Sequence, residues 1–386
     1  MSFYDRKNFF CGFLKKNYRA DCSGAKRSRK RMKPRKAGLA EELFSKIKNQ
    51  EILWKIMMNQ KNKFILAPMA TLSHEAFRCL VSEFGYCDEY FNEMINAPSL
   101  LHNGPFEKFY LLNDFAKEKI VWQLTGTEKS SLGEAAAVLC NYGGKGIDLN
   151  MGCSAPQIYC TGAGISWMTK PIEETQKMVH EVKSAIENNS KDGKKSERLS
   201  VKLRLGDEDF TVEKFFDFTD MLVAEGVEML TLHPRTKKEK VSRPPRWNFV
   251  ELLSERYPNL PVILNGNVKD KNSFLQAKKA APSSSGIMIG RAAAQKPWIF
   301  KELAGKKFTV DCQKVALDFI DNVEKFQPEE FFQTRLQRFF AYYCLNFSFA
   351  HFFQTKMLNS KSIEESRKLV IEYFEQMSED RFIKIE

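Results

Sequence analysis

Eight short, β-rich apolar runs separated by longer helical patterns constrain this chain more than anything else in its sequence. They are Phe64–Met69, Tyr90–Met94, Ile120–Leu124, Ile147–Met151, Leu199–Leu205, Met229–His233, Val262–Asn265 and Ile287–Ile289. Strand-like runs alternating with helices are the signature of repeated βα units and hence of a parallel sheet. Spacings of mostly about 25 to 33 residues match the roughly 250-residue, eight-unit plan of a closed (β/α)8 barrel. The fourth interval alone is longer, because it holds a loop from Cys153 to Met168, a helix over Pro171–Glu187 and a polar turn over Asn188–Lys195. A doubly wound sheet would alternate similarly, but no GxGxxG follows the first run, which disfavours its dinucleotide-binding form.

Length and charge divide the rest of the chain. The 386 residues accommodate a barrel and a smaller domain, and the pattern predicts a tail over 1–40, a catalytic barrel over 41–305 and a helical domain over 306–386. Residues 1–36 hold 13 Lys or Arg against two Asp, a net of +11 within a chain total of +12, so the basicity belongs to the tail. Such a segment cannot bury enough apolar surface to fold by itself and is expected to be disordered. Clustered cations give sequence-independent affinity for nucleic acid, so an RNA-seeking arm is the preferred reading, with a targeting segment as the alternative. A helix is predicted over Glu41–Gln60, leading into the first strand.

Beyond Lys306 the chain reads as helical to its end, a bundle of about four helices. Its stretch Gln333–Ser362 contains Arg335, Arg338, Lys356 and Lys361 with no acid and many aromatics, as an RNA-facing surface would need, while Phe339, Phe340 and Tyr343 read as bundle core. No apolar run is long enough for a membrane helix. The nine cysteines form no CxxC pair and the five histidines are dispersed, which argues for reduced thiols and against a metal site. The chain is therefore expected to be a cytoplasmic protein, monomeric, with no membrane and no metal partner.

In a barrel of this kind the active site forms at the carboxyl ends of the strands. Polar and reactive types collect at those ends: Pro68 and Met69 at the end of run one, Glu93 at the end of run two, Gln123 in run three, Asn150 and Cys153 at run four, Lys202 and Arg204 at run five, His233 and Arg235 at run six, Asn265, Gly266 and Asn267 at run seven, Gly290 and Arg291 at run eight. Gly266, Gly290 and Arg291 fit a phosphate, because loops after strands seven and eight recurrently bind one. One cradle suits a mononucleotide better than a dinucleotide. In Asp148-Leu-Asn-Met-Gly-Cys-Ser-Ala-Pro156, Gly152 permits an abrupt turn that presents Cys153 at a strand end, where a thiol is placed for chemistry.

That block resembles the Asn-x-Gly-Cys-Pro motif of the dihydrouridine synthases, with Ser154 in place of the family's Pro and Pro156 two positions later. Ala67-Pro-Met69, Glu93-Met94, Gln123-Leu-Thr-Gly126, Gly162-Ala-Gly164, Val201-Lys-Leu-Arg-Leu-Gly206, His233-Pro-Arg-Thr236, Asn265-Gly-Asn267 and Gly290-Arg291 extend the resemblance in order along the chain. It implies FMN surrounded by Pro68, Met69, Gln123, Lys202, His233, Asn265, Gly266, Asn267, Gly290 and Arg291, and a flipped-out uracil met by Asn150 and Cys153, with Glu93, Arg204 and Arg235 on the substrate side. It further implies a C-terminal domain that grips tRNA, where Arg338-Phe-Phe340 takes the place of the family's Arg-Lys-His. The expected reaction is reduction of uridine to 5,6-dihydrouridine, with NADPH as hydride source and the Cys153 thiol as proton donor. Ribosomal RNA is the alternative substrate, and an FMN barrel acting on a small free pyrimidine is the alternative enzyme.

Overall fold

The computed structural model describes residues 62–189, 197–239 and 242–386. The basic tail, the expected helix up to Gln60 and most of the polar turn before the fifth strand lie outside them. All eight expected strands are present: β1 (Lys63–Leu66), β2 (Glu89–Phe91), β3 (Ile120–Thr125), β4 (Gly146–Met151), β5 (Arg198–Leu203), β6 (Met229–Leu232), β7 (Val262–Asn265) and β8 (Gly286–Ile289). Every pair is parallel, and the sheet closes on itself: β2 meets β3 at Tyr90–Ile120, and β1 meets β8 from Lys63–Gly286 to Leu66–Ile289. A two-residue bridge, Ile95–Asn96, extends the second strand position alongside the end of β3. The protein is a (β/α)8 barrel followed by a helical C-terminal region.

Alternation along each strand sorts residues between the barrel interior and the helix-covered outer face. Ile65, Ala67, Phe91, Val121, Met229, Ile263 and Met288 form a closed apolar cluster inside. On β3, β4 and β5 the same parity brings Gln123, Asp148 and Ser200 to the interior, all fully buried and hydrogen-bonded to one another. The opposite parity packs against helices such as α1 (Glu75–Phe84), α2 (Leu132–Cys140) and α3 (Ile172–Asn188), whose Phe77, Leu80, Leu139, Val179 and Val182 belong to the large outer core.

Past β8 come two short helices, Arg291–Gln295 and Ile299–Leu303, and then four longer ones: α4 (Cys312–Phe326), α5 (Glu329–Tyr343), α6 (Ala350–Asn359) and α7 (Ile363–Gln376). The expectation of helix to the chain end is corrected in one respect. β9 (Phe308–Asp311) and β10 (Phe382–Ile385) pair antiparallel and bracket the four helices, in strands of four residues, too short to leave a periodic signal. An aromatic stack holds the bundle: Phe319 and Phe339 lie 3.9 Å apart between ring centroids and Phe339 and Tyr343 4.9 Å apart. Phe77 of α1 joins it at 6.2 Å from Phe339, so barrel and bundle share one core. Phe339, Phe340 and Tyr343 are fully buried, as expected of bundle core.

Candidate active site

A cavity of about 480 Å³ opens at the carboxyl end of the barrel, within the range of small-molecule sites. Nine of the expected residues line it: Pro68, Met69, Lys202, His233, Asn265, Gly266, Asn267, Gly290 and Arg291. They come from five strand ends. β1 stops at Leu66 because Pro68 cannot donate to a ladder, which turns Pro68 and Met69 over the barrel mouth. Gly266 (φ +116°) and Asn267 (φ +60°) take backbone conformations that most side chains avoid. A Cβ at Gly266 would lie 2.8 Å from His233 Cδ2, so only glycine lets the loop and the imidazole share the wall. The Asn265 amide donates to the Met288 carbonyl at 2.8 Å and is thereby fixed across β7 and β8.

Cys153 follows β4 on a half-buried loop and does not line this cavity; the two adjoin through Lys202, which pairs in register with Asn150. The Asn150 Oδ1 accepts the backbone N–H groups of Gly152 (3.2 Å) and Cys153 (2.9 Å), and the Ile165 N–H donates to the Cys153 carbonyl at 3.0 Å. Arg204 Nε donates to the Gly152 carbonyl at 2.9 Å, so Arg204 braces the thiol turn from β5. Gln123 is placed differently from its expected position at the cofactor: it has no exposed surface and lies between Asp148 and Asn150, donating to the first at 2.7 Å and accepting from the second at 2.8 Å. Arg235 is buried behind His233. Its Nη1 donates to His233 Nε2 at 2.9 Å and its Nε to the Arg243 carbonyl at 2.6 Å, while its Nη2 has no partner among the described residues.

Glu93 does not reach the cavity. It is 3% exposed and paired with Arg335 of α5 at 2.9 Å, and it also accepts the Thr71 N–H. Arg335 is 2% exposed, which removes it from the RNA-facing surface on which the charge pattern placed it; Arg338 remains exposed.

The dihydrouridine synthase model, "Dihydrouridine synthase (Dus)", matches residues 65–381, nearly the whole described chain. The chain belongs to the dihydrouridine synthase family. A "Probable tRNA-dihydrouridine synthase" of Staphylococcus aureus (strain Mu50 / ATCC 700699) is 29% identical over 332 residues, 84% of this chain and 96% of the relative. A "Probable tRNA-dihydrouridine synthase 2" of Bacillus subtilis (strain 168) is 27% identical over 320 residues, 80% and 93% of the two chains.

The electrostatics of this dihydrouridine synthase site are dominated by crowded cations. Burial, followed by Arg204 and Lys202, pushes the His233 imidazole down to about 2. It is neutral, and because Nε2 accepts from Arg235 the ring proton sits on Nδ1. Burial and then Arg204 lower the Lys202 ammonium to about 8, and burial and then Arg235 lower Arg204 to about 10. Burial raises the Asp148 carboxyl to about 6, against hydrogen bonds from Gln123 and Ser200 and the charge of Lys202 that favour its ionised form. A group of cations that depress one another is a place where an anion binds well.

Sequence reasoning missed two walls of the cavity, Tyr342 and Leu345. Tyr342 and Tyr343 are adjacent on α5, so they point about 100° apart. Tyr343 enters the bundle core and Tyr342 faces the cavity, with Arg338 over its ring at 5.6 Å. No local signal says which of two neighbouring tyrosines does which. Lys269 and Gln295 were also missed, the first because it lies beyond the strand-end motif. Among the described residues no cluster could hold a metal ion, and no helix is long and apolar enough to cross a membrane.

Proposed function

We propose that this protein reduces uridine to 5,6-dihydrouridine in tRNA, with FMN held in the barrel-mouth cavity and NADPH as the source of hydride. The observation that carries the proposal is the cavity itself: a wall of Ala67, Met69 and Met288 for a flat ring, and Arg291, Lys269 and Lys202 for anionic groups, in a chain whose curated relatives are described as acting on tRNA. The residues present fit the cofactor. Gly266 and Gly290 leave room where a side chain would strike His233 or Met69, and the unpartnered Nη2 of Arg235 is a buried donor behind the same wall. Bound FMN would supply hydride to uracil C6.

The chain's own part is orientation and proton supply. Cys153, on a turn whose N–H and carbonyl are both tied down, donates the proton to C5. Lys202 and the Nδ1–H of neutral His233 stabilise negative charge at the cavity wall, and Arg291 with Lys269 holds the phosphate. Uridine in folded RNA is stacked and must be extracted before a site at a barrel mouth can receive it. Exposed Arg338, beside Tyr342 at the cavity rim, serves the RNA backbone. The test is mass-spectrometric mapping of dihydrouridine in total RNA from cells with and without this gene. Loss of dihydrouridine at defined tRNA positions is expected; an unchanged tRNA map would overturn the reading.

A further inference from the structure

We propose that Asp148 is a positioning residue: through a one-directional hydrogen-bond relay, its carboxylate fixes the side-chain amide of Asn150 and with it the turn that carries Cys153. The inference rests on the assignment of Cys153 as proton donor. Asp148 is fully buried in the barrel interior and touches neither the cavity nor the thiol loop. What it controls is the sense of two amides. An ionised carboxylate only accepts. Its Oδ1 takes the Ser200 hydroxyl and its Oδ2 the Gln123 amide, each at 2.7 Å.

With its NH2 committed to Asp148, Gln123 must turn its Oε1 to Asn150, from whose Nδ2 it accepts at 2.8 Å. Asn150 must then turn its own Oδ1 the other way, onto the N–H groups of Gly152 and Cys153. The relay runs between an acceptor-only anion and two donor-only backbone groups. Flipping Gln123 would set NH2 against NH2 and oxygen against the carboxylate, and flipping Asn150 would set oxygen against oxygen and NH2 against the backbone N–H groups; each leaves buried donors unpaired, so a single orientation survives. Without the anion, the Gln123 NH2 loses its acceptor and only the two backbone N–H groups still oppose a reversal of the Gln123–Asn150 pair, which would present the Asn150 NH2 to the turn its oxygen now holds. The nearby cations Lys202 and Arg198 favour the ionised form of Asp148, and Lys202 lies beside Asn150 in register.

Two roles of the carboxylate, setting the relay and balancing Lys202, are separated by substitution. In D148N the Oδ1 can still receive Gln123, while the new Nδ2 faces Ser200, whose hydroxyl can rotate from donor to acceptor. The relay survives and the charge does not. In D148L both are lost. In D148N/S200A the new Nδ2 has no acceptor at position 200, and the amide order is again held from the backbone end alone.

The experiment uses full-length, flavin-loaded protein and three readings: reduction by NADPH, reoxidation of the reduced protein by unmodified tRNA, and the rate at which iodoacetamide alkylates Cys153 relative to exposed Cys160 without RNA, read by peptide mass spectrometry. For D148L, NADPH reduction should match wild type, reoxidation by tRNA should slow about 10²-fold, the scale of a misplaced reacting group, and the Cys153-to-Cys160 alkylation ratio should change. D148N should reoxidise within about fivefold of wild type, the scale of one altered hydrogen bond, and D148N/S200A should fall toward D148L. Wild-type reoxidation and alkylation in D148L would overturn the proposal, as would a D148N as slow as D148L, which would assign the effect to charge. If D148L does not fold, equal rates in D148N and D148N/S200A overturn it. A wild-type protein that is not reoxidised by tRNA at all refutes the function instead, while the alkylation ratio still tests the relay.

Discussion

Replacing Arg335 with Met removes one end of the buried ion pair that fastens helix α5 over the barrel mouth. In the native protein the guanidinium meets Glu93 at 2.9 and 3.2 Å, donates to Gln327 at 3.1 Å and lies 4.8 Å from the Phe331 ring. After substitution Glu93 keeps the Thr71 N–H but faces an apolar side chain while fully buried. Breaking a buried pair from one side costs about 3–5 kcal/mol, because a charge is left uncompensated. With an unfolding entropy of about 2.1 cal/mol/K per residue, a chain of 386 residues loses about 5 °C in Tm for a 4 kcal/mol change. Burial already holds the Glu93 carboxyl above its ordinary range in spite of Arg335, so its desolvation outweighs the attraction. Removing both charges, in R335M/E93L, should therefore recover most of the loss. Urea unfolding followed by circular dichroism across the double-mutant cycle measures this. Additive losses, with the double variant worse than R335M, would refute the argument that an unpaired charge rather than lost packing sets the penalty.

Other outcomes are as specific. Burial pushes the Asp148 carboxyl up to about 6 from the ordinary 3.8, so between those pH values the folded state keeps a proton that the unfolded state has lost. Asp148's own contribution to the unfolding free energy should therefore fall by about 2–3 kcal/mol as pH rises through that window, while the buried neutral His233 contributes in the opposite sense. D148N should remove that contribution, so the difference in stability between the two proteins should change across the window, and parallel pH–stability curves would contradict it. R291E sets a carboxylate against the cofactor phosphate and should yield colourless protein; stoichiometric flavin in the purified variant would remove Arg291 from the phosphate site. G266A places a methyl 2.8 Å from His233 Cδ2 at a φ of +116°, and should cost flavin binding more than stability by flavin titration and thermal melts. Deleting residues 1–36, which carry a net charge of +11, should weaken RNA binding and flatten its salt dependence while leaving the modified position unchanged; an unchanged salt slope would exclude the arm as an RNA contact.

The barrel was legible because each strand is an apolar run bounded by turns, and all eight were located to within a few residues at their ends. Nine cavity residues could be named in advance, since strand ends converge on one face whatever the details of packing. What could not be read depends on who meets whom across the fold. Glu93 looked like a substrate residue because it closes the second apolar run, just past β2, and only the tertiary partner Arg335, 242 positions away, turns it into a clamp. Gln123 likewise ends up behind the cavity, because Asp148 and Asn150 on the adjacent strand claim both ends of its amide. The β9–β10 pair joins chain segments about 70 residues apart through strands too short to show a period.

The proposed reduction of uridine in RNA, with Cys153 as acid, is tested most directly on the purified protein. Purified protein supplied with NADPH and an unmodified tRNA transcript should convert uridine to a species heavier by two hydrogens, detected by mass spectrometry of the digested RNA. The Cys153→Ala variant should still be reduced by NADPH but form product about 10²- to 10⁴-fold more slowly, the usual worth of a general acid. Product formed at the wild-type rate by Cys153→Ala would contradict the assignment of the acid. No product from the wild-type protein on any tRNA would contradict the account as a whole.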